Sequence, residues 1–276
     1  MTNTVLVLGA TGMIGRRLVP LLRDRGITVR AASRTAAGGH TPFDWRDPTT
    51  QAAALAGVRA LYLVPPPLVE NPTSLVAPLL AAAKEAGVER VVAVTSLGVE
   101  FPTEPASSGR RALEHVVKAS GLDWTVLRPG GFAQNFSEGF LRPGIDRGMV
   151  VSATGAGKVA MIDAGDIAAV AALALTEPGH AGQTYELTGA ETLSFADAAA
   201  TIGRITGREI AYRTVEPGEM EAMLQGFGLP AEYAAVVVRD QVAIRDGAGA
   251  RITDTVERLT GKRPTSFAAV AERVAW

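Results

Sequence analysis

Val5-Leu6-Val7-Leu8-Gly9-Ala10-Thr11-Gly12-Met13-Ile14-Gly15 is the stretch that decides the fold, because a run of apolar residues leads directly into three glycines spaced three apart. A helical pattern follows from Arg16 to Leu22. A buried strand, a tight glycine turn and a helix N-terminus together form a cradle for a pyrophosphate, which binds free N–H groups and the positive end of the helix dipole. The stretch therefore predicts a dinucleotide-binding turn, with a purely structural turn as the alternative.

Each glycine of the turn has its own expected task. We expect Gly9 to allow the turn, Gly12 to let the backbone approach the phosphates, and Gly15 to let helix and strand pack closely. The cofactor-binding residues predicted from this stretch are Gly9, Thr11, Gly12, Met13, Ile14 and Gly15.

The bulk composition excludes several classes of protein. Of the 276 residues, 47% are hydrophobic and 20% are charged, which is enough apolar material for a sizeable core. The net charge of −1 argues against a nucleic-acid surface, and the absence of cysteine excludes disulfides and cysteine-ligated metals. No segment approaches the ~20 apolar residues of a membrane span. We expect a cytoplasmic protein with a small-molecule partner, no metal, no nucleic acid and no membrane; a homodimer is compatible with the sequence.

Strands alternate with Ala-rich helices through the first half of the chain. The strands are predicted at Ile27–Ala32, just before Asp44, at Ala60–Val64, at Arg90–Thr95 and at Trp124–Arg128. This alternation is typical of a parallel sheet covered on both faces. The predicted fold is α/β: a doubly wound parallel sheet (Rossmann) with a smaller C-terminal α/β lobe.

The regular alternation of strands and helices ends after Pro129, which suggests two domains. We predict a Rossmann domain over residues 1–130, to which residues 161–187 return. Residues 131–160 and 188–276 are predicted to form the smaller lobe on the substrate side.

The residues after the second strand indicate which dinucleotide binds. NAD-preferring sites place an acidic residue there to hold the ribose 2′-OH, whereas this chain has Ser33-Arg34-Thr35. Arg34 is able to meet a 2′-phosphate with a charge-assisted fork, and Ser33 adds a hydroxyl donor. The predicted cofactor is therefore NADP (NADPH). Asp44 either accepts from the adenine amino group or caps a helix, and Asp47 is predicted to be a helix cap.

The ends of the later strands supply the remaining site residues, since ligands of parallel sheets bind beyond the carboxyl ends of the strands. Val64 and Pro65 are predicted to form part of the wall of the cofactor site. Thr95 and Ser96 are predicted to bind the nicotinamide ribose or a substrate oxygen. The predicted substrate-binding residues are Phe132, Gln134, Asn135 and Phe136. No catalytic residue is identified; Ser96 and Asn135 are the weak candidates.

Four of these segments together resemble a known family. The glycine turn, Ser33-Arg34, Val94-Thr95-Ser96-Leu97-Gly98 and the run from Ser120 to Gly130 are similar to an atypical short-chain dehydrogenase/reductase. More narrowly, the chain resembles the NmrA-like group, which includes NAD(P)H:quinone oxidoreductases, triphenylmethane-type reductases and redox-sensing regulators. Residues 163–189 match the later section of that group, so the resemblance covers nearly the whole chain.

One departure from that resemblance bears on mechanism. Typical short-chain dehydrogenases carry Tyr-x-x-x-Lys on the helix before the sixth strand, where the tyrosine moves a proton. Here Arg110 and Glu114 occupy those places, and no tyrosine lies between Tyr62 and Tyr185. Glu114 and Lys118 form an i,i+4 pair of the kind that helix surfaces carry.

Two main functions remain open. The first is an NADPH-dependent reductase that transfers hydride to an electron-poor small molecule, such as a quinone, an imine or iminium ion, or a conjugated carbonyl. Such acceptors need little general acid help, so catalysis is mostly positioning. The alternative is a non-catalytic NAD(P)-sensing regulatory protein of the NmrA type. An enzyme acting on a sugar nucleotide is the third and least favoured function, because that chemistry depends on the tyrosine of the Tyr-x-x-x-Lys motif, which this chain lacks.

Overall fold

The computed structural model describes residues 4–35 and 37–276 as an alternation of strands and helices. The strands are β1 (Thr4–Val7), β2 (Thr28–Ser33), β3 (Thr41–Pro42), β4 (Ala60–Leu63), β5 (Arg90–Val94), β6 (Asp123–Pro129), β7 (Met149–Ser152), β8 (Lys158–Val159), β9 (Gln183–Leu187), β10 (Leu193–Ser194) and β11 (Ala211–Thr214). The helices are α1 (Gly15–Asp24), α2 (Pro48–Leu55), α3 (Thr73–Glu85), α4 (Gly109–Lys118), α5 (Arg142–Asp146), α6 (Ala164–Thr176), α7 (Phe195–Thr206), α8 (Pro217–Gly226), α9 (Ala231–Arg245), α10 (Thr255–Thr260) and α11 (Phe267–Glu272).

The central sheet has seven strands in the order β3-β2-β1-β4-β5-β6-β9. The pairings from β3 through β6 are all parallel. β1 is the third strand in this order, and strands of increasing number extend from it in both directions, which is the topology of a doubly wound sheet. The predicted α/β fold is therefore confirmed. The carboxyl ends of β1 and β4 meet beside the switch in strand order, where such sheets bind their ligands.

The chain divides into two compact units. The first comprises the described residues up to Ser96 together with 106–128 and 167–185, and the second comprises 97–105, 129–166 and 186–276. Residues 97–105 lie in the second unit, whereas the sequence boundaries kept them with the first. A long-range ion pair ties this segment to the second unit: the Glu104 side chain is fully buried and pairs with Arg239 of α9 at 2.9 Å between Oε2 and Nη2.

The core of the first unit consists of apolar side chains from the sheet and the helices that cover it. β1, β4 and β5 are buried almost throughout, as expected of strands covered on both faces. Leu61, Leu79 and Val117, from a strand and two helices, are all fully buried in one cluster.

The second unit has two short sheets, in which β11 pairs with β7 in parallel and β10 pairs with β8 antiparallel. One of its cores is aromatic: the ring of Phe136 lies 5.3 Å from that of Phe195 and 5.2 Å from that of Phe267. The sequence analysis did not anticipate α9, the longest helix of this unit. Its apolar residues surround a polar Arg239-Asp240-Gln241 stretch and form no uniform stripe.

None of the helices in the described part of the chain is long and apolar enough to cross a bilayer.

Candidate functional site

The glycine turn between β1 and α1 has the geometry that each glycine was expected to supply. Gly9 adopts a φ of +62°, in the left-handed region that favours glycine. A Cβ on Gly15 would lie 2.2 Å from the Gly9 carbonyl oxygen and 2.8 Å from the Ala10 Cα. Helix α1 therefore approaches the end of β1 as closely as backbone allows. Gly12 is exposed, and a Cβ there would come within 3.2 Å of the Gly9 oxygen only.

The N-terminus of α1 leaves backbone donors available for an anion. Within the described residues, the amides of Thr11, Met13 and Ile14 have no hydrogen-bond partner. The helix has no side-chain cap and no acidic residue in its first turn. Unpaired amides and an uncompensated helix dipole are the features that hold a phosphate, so these residues fit the pyrophosphate of a dinucleotide.

The turn after β2 presents Arg34 to solvent. Arg34 is exposed and has no hydrogen bond or ion pair with any described residue. The Ser33 hydroxyl donates to the Thr35 carbonyl and so fixes the turn. Asp44 accepts the Arg46 amide at 2.8 Å. Asp47 accepts the Thr49 amide at 3.0 Å and caps α2, which confirms the cap predicted there. The cofactor roles of Ser33, Arg34 and Asp44 stay predictions.

The exits of β4 and β5 also carry predicted cofactor residues. Val64 and Pro65 are half-buried where β4 ends. Thr95 follows β5, and its hydroxyl donates to Glu114 Oε1 at 3.0 Å, so its oxygen keeps lone pairs for another partner. The Ser96 hydroxyl oxygen accepts from Arg110 Nη1 at 3.3 Å.

Glu114 corrects the helix-surface interpretation of its pair with Lys118. Its carboxylate is 4% exposed and is held by both ends of one guanidinium: Arg128 Nε donates to Oε1 at 2.8 Å and Arg128 Nη2 to Oε2 at 2.7 Å. Lys118 adds a weaker contact at 3.2 Å. Arg128 comes from the end of β6, so this bidentate pair joins α4 to the carboxyl edge of the sheet.

The charge state of Glu114 follows from this surrounding network. Burial by itself raises the pKa of the Glu114 carboxyl, but the hydrogen bonds and charge of Arg128, with those of Thr95 and Lys118, outweigh it and hold the pKa below its ordinary value. Glu114 is therefore a charged, fixed group and holds no proton to give. His115, its neighbour on the helix, is exposed.

The predicted substrate residues all lie in the second unit, in and beside a short 3-10 turn over Ala133–Asn135. Gln134 is 2% exposed, its Nε2 donates to Asp163 Oδ1 at 2.6 Å and its Oε1 accepts the Ala164 amide at 2.8 Å. Both ends of this amide are thus used within the protein, at the start of α6. The substrate role expected of Gln134 stays a prediction, and this placement argues against it.

The other three residues meet in an apolar pocket of about 190 Å³. Phe132 and Asn135 are half-buried on its wall, and Phe136 is buried behind it. The rest of the lining is mostly aromatic and aliphatic: Gly131, Phe140, Val159, Met161, Phe195, Val237, Asp240, Gln241 and Ile244. An apolar pocket with a few polar groups is typical of a small-molecule site.

Helix α9 contributes residues that the sequence analysis missed. Val237, Asp240, Gln241 and Ile244 line the pocket, at the i, i+3, i+4 and i+7 spacing of one helix face. That spacing was the available signal, but two polar residues within it hid the stripe.

Comparison with known proteins adds independent findings. The family model described as NAD(P)H-binding matches residues 9–178. An oxidoreductase of Bacillus subtilis named YesF, itself uncharacterized, is 38% identical to the chain, and the match covers 98% of the chain and 94% of that protein. The NAD(P)H azoreductase of Xenophilus azovorans is 36% identical, with 97% and 96% covered.

A solved structure is similar over the same extent. The NADPH-dependent quinone oxidoreductase QOR2 of Escherichia coli, in complex with NADPH, is 26% identical and superimposes with a TM-score of 0.82. The match covers 97% of this chain and 98% of that one. The likeness therefore extends over both units and is not confined to the glycine turn.

The buried Glu114–Arg128 pair predicts an acid-dependent loss of stability. We expect Glu114→Gln to lower the free energy of unfolding by about 3 kcal/mol at neutral pH, because it leaves a buried guanidinium without its counter-charge. Since the folded pKa of Glu114 is depressed, the pair stabilises fully above the unfolded value of about 4.3 and its contribution disappears as pH falls through the lower folded value. Denaturant unfolding across pH measures this.

The matched control is Glu177→Gln, which breaks the exposed pair of Glu177 with Arg25. We expect it to change stability by less than about 1 kcal/mol at every pH. Two results would contradict the account. One is a loss of unfolding free energy in Glu114→Gln no larger than that in Glu177→Gln. The other is a loss in Glu114→Gln that stays unchanged at pH values below both the folded and the unfolded pKa of Glu114.

Proposed function

Since this chain belongs to the NAD(P)H-binding family and is an oxidoreductase, we propose that it is an NADPH-dependent reductase of electron-poor, planar small molecules. The first unit holds the cofactor, and the apolar pocket of the second unit takes the acceptor. Quinones, imines or iminium ions, and conjugated carbonyls are the acceptor classes. The quinone oxidoreductase and the azoreductase among its relatives support acceptors of this electronic kind.

The observation that carries the proposal is the buried pair of Glu114 with Arg128. Arg110 and Glu114 stand at the positions where related dehydrogenases have a proton-moving tyrosine and its lysine. A carboxylate fixed in charged form by a bidentate guanidinium is not a general acid at neutral pH. We therefore assign the reaction to acceptors that take a hydride without prior protonation.

The residues act mainly by binding and orienting. Bound NADPH supplies a hydride. The amides of Met13 and Ile14 bind its pyrophosphate, and Arg34 binds the 2′-phosphate. Thr95 holds a ribose hydroxyl through its oxygen lone pairs, because its own proton is committed to Glu114. The phenylalanines of the pocket exclude water and align a flat acceptor, and the final proton comes from solvent.

Cofactor preference tests the role of Arg34. We expect NADPH to bind more tightly than NADH, and Arg34→Ala to remove most of that difference, because the guanidinium offers a forked, charge-assisted contact to a 2′-phosphate. The loss for NADPH should be about tenfold or more, and the loss for NADH small. Fluorescence titration with both cofactors measures it.

Arg263→Ala serves as the control, since Arg263 is 86% exposed and belongs to the second unit. It should leave both affinities unchanged. Equal affinities of the wild-type protein for NADPH and NADH would refute the assignment of Arg34.

An acceptor screen decides between enzyme and sensor. We expect the protein to oxidise NADPH in the presence of at least one of four probes: a small quinone, a conjugated ketone, an iminium salt and a cationic dye. A simple aliphatic ketone should react poorly, because its reduction needs the general acid that is replaced here. The decay of nicotinamide absorbance is the readout. Tight NADPH binding with no oxidation by any probe would favour the sensing alternative.

A further inference from the structure

Gln241 of α9 is a polar residue buried in the wall of the apolar pocket. It is 4% exposed and lines the pocket beside Val237 and Ile244. A primary amide in an apolar wall is costly unless its donors and acceptor are bonded, so each of its polar atoms needs a partner.

Among the residues that the structure describes, only one end of this amide is bonded. Gln241 Oε1 accepts the Ala153 backbone N–H at 2.7 Å. Within the described residues, the Gln241 side chain makes no hydrogen bond through Nε2. The bond to Ala153 also fixes which end is which, because an amide turned the other way would set its NH₂ group against a backbone N–H. The Gln241 amide is therefore held with its oxygen committed and its NH₂ left to bond a ligand.

Two other amides in this region show what is particular about Gln241. Gln134 is bonded at both ends, and it is not among the described residues that line the pocket. Asn135 also lines the pocket, but no described bond fixes its amide, so either end is able to face a ligand. The described lining has one charged residue, Asp240, which is engaged in an interaction of its own.

From this geometry we infer that Gln241 selects acceptors by donating a hydrogen bond to a carbonyl oxygen, which makes neutral quinones and conjugated ketones the substrate class. This inference rests on the proposed reductase function and narrows it. A carbonyl oxygen carries lone pairs for Nε2–H. An iminium nitrogen carries none, so it would shield this donor from water without giving it a hydrogen-bond partner.

A donor bonded to the carbonyl oxygen would meet the atom on which charge develops in such a reaction. The acceptor gains a hydride, with its electron pair, at the far carbon of a C=C bond conjugated to the carbonyl, while the nicotinamide is oxidised. The C=C π pair then forms a new double bond to the carbonyl carbon, and the C=O π pair moves onto oxygen, which takes a proton from water. An N–H donor fixed on that oxygen stabilises the oxyanion more than the neutral carbonyl.

The test compares two substitutions at one position. Gln241→Glu keeps an oxygen to accept the Ala153 amide but replaces the donor with a second oxygen, which repels a carbonyl. Gln241→Met removes the donor without adding charge. If one variant folds poorly, thermal unfolding detects the defect, and the other variant still tests the loss of the donor. Gln225→Glu on α8, an exposed residue, is the matched control.

Steady-state rates with a neutral quinone and with a cationic dye are the main readout. We expect kcat/KM for the quinone to fall about tenfold or more in both Gln241 variants, and kcat/KM for the dye to stay within about threefold or to rise. Gln225→Glu should change neither. In parallel, calorimetric titration with a neutral aromatic ketone, without cofactor, should show weaker binding to both variants.

The outcomes separate the two claims. If both acceptors lose the same factor, or the quinone loses nothing, then Gln241 is not a carbonyl donor and the inference is overturned while the reductase function stands. If none of the tested acceptors supports NADPH oxidation by the wild-type protein, the proposed function is refuted, and the inference is refuted with it. If only the dye is reduced by the wild-type protein, the substrate class is wrong.

Discussion

The near-contact between α1 and the end of β1 is the constraint on which the rest of this structure depends. With a Cβ at Gly15 placed 2.2 Å from the Gly9 oxygen, no side chain fits there, so the helix begins directly beyond the strand. That placement leaves the amides of Thr11, Met13 and Ile14 unpaired within the described chain and directs the positive end of the helix dipole at the same point. Neighbouring parallel strands then bring Val64 and Thr95 to the same edge of the sheet.

The second determinant is the pair of side chains that α4 carries in place of the tyrosine and lysine expected from the family resemblance. The family resemblance places a tyrosine and a lysine at the positions of Arg110 and Glu114, and in this protein Glu114 forms a buried ion pair with Arg128. A pair of this kind is costly to break and gives no general acid, so it organises the edge of the sheet and the hydroxyl of Thr95. The function proposed here follows from that replacement: the reaction depends on acceptors that are already electron-poor, and on an apolar pocket that positions them.

The first unit could be predicted well from the sequence because its signals are local. The strand, turn and helix around Gly9, the capping role of Asp47 and the apolar strands all depend on neighbours in the chain. The site in the second unit could not be predicted in the same way. Whether Gln134 or Gln241 faces a ligand is decided by the partners Asp163, Ala164 and Ala153, which lie far away in sequence. Likewise, the burial of Glu114 depends on Arg128 on another element.

The most direct test of the account is NADPH binding by Gly12→Val. Gly12 is exposed, its φ lies outside the left-handed region, and a Cβ there makes one tight contact, at 3.2 Å from the Gly9 backbone oxygen. A shift of a few tenths of an ångström in this exposed turn relieves that contact, so we expect the variant to fold. The isopropyl group would occupy the space in which the pyrophosphate meets the free amides. The account predicts that titration shows no NADPH binding while the unfolding temperature stays close to that of the wild-type protein. Undiminished NADPH binding by a folded Gly12→Val protein would contradict it.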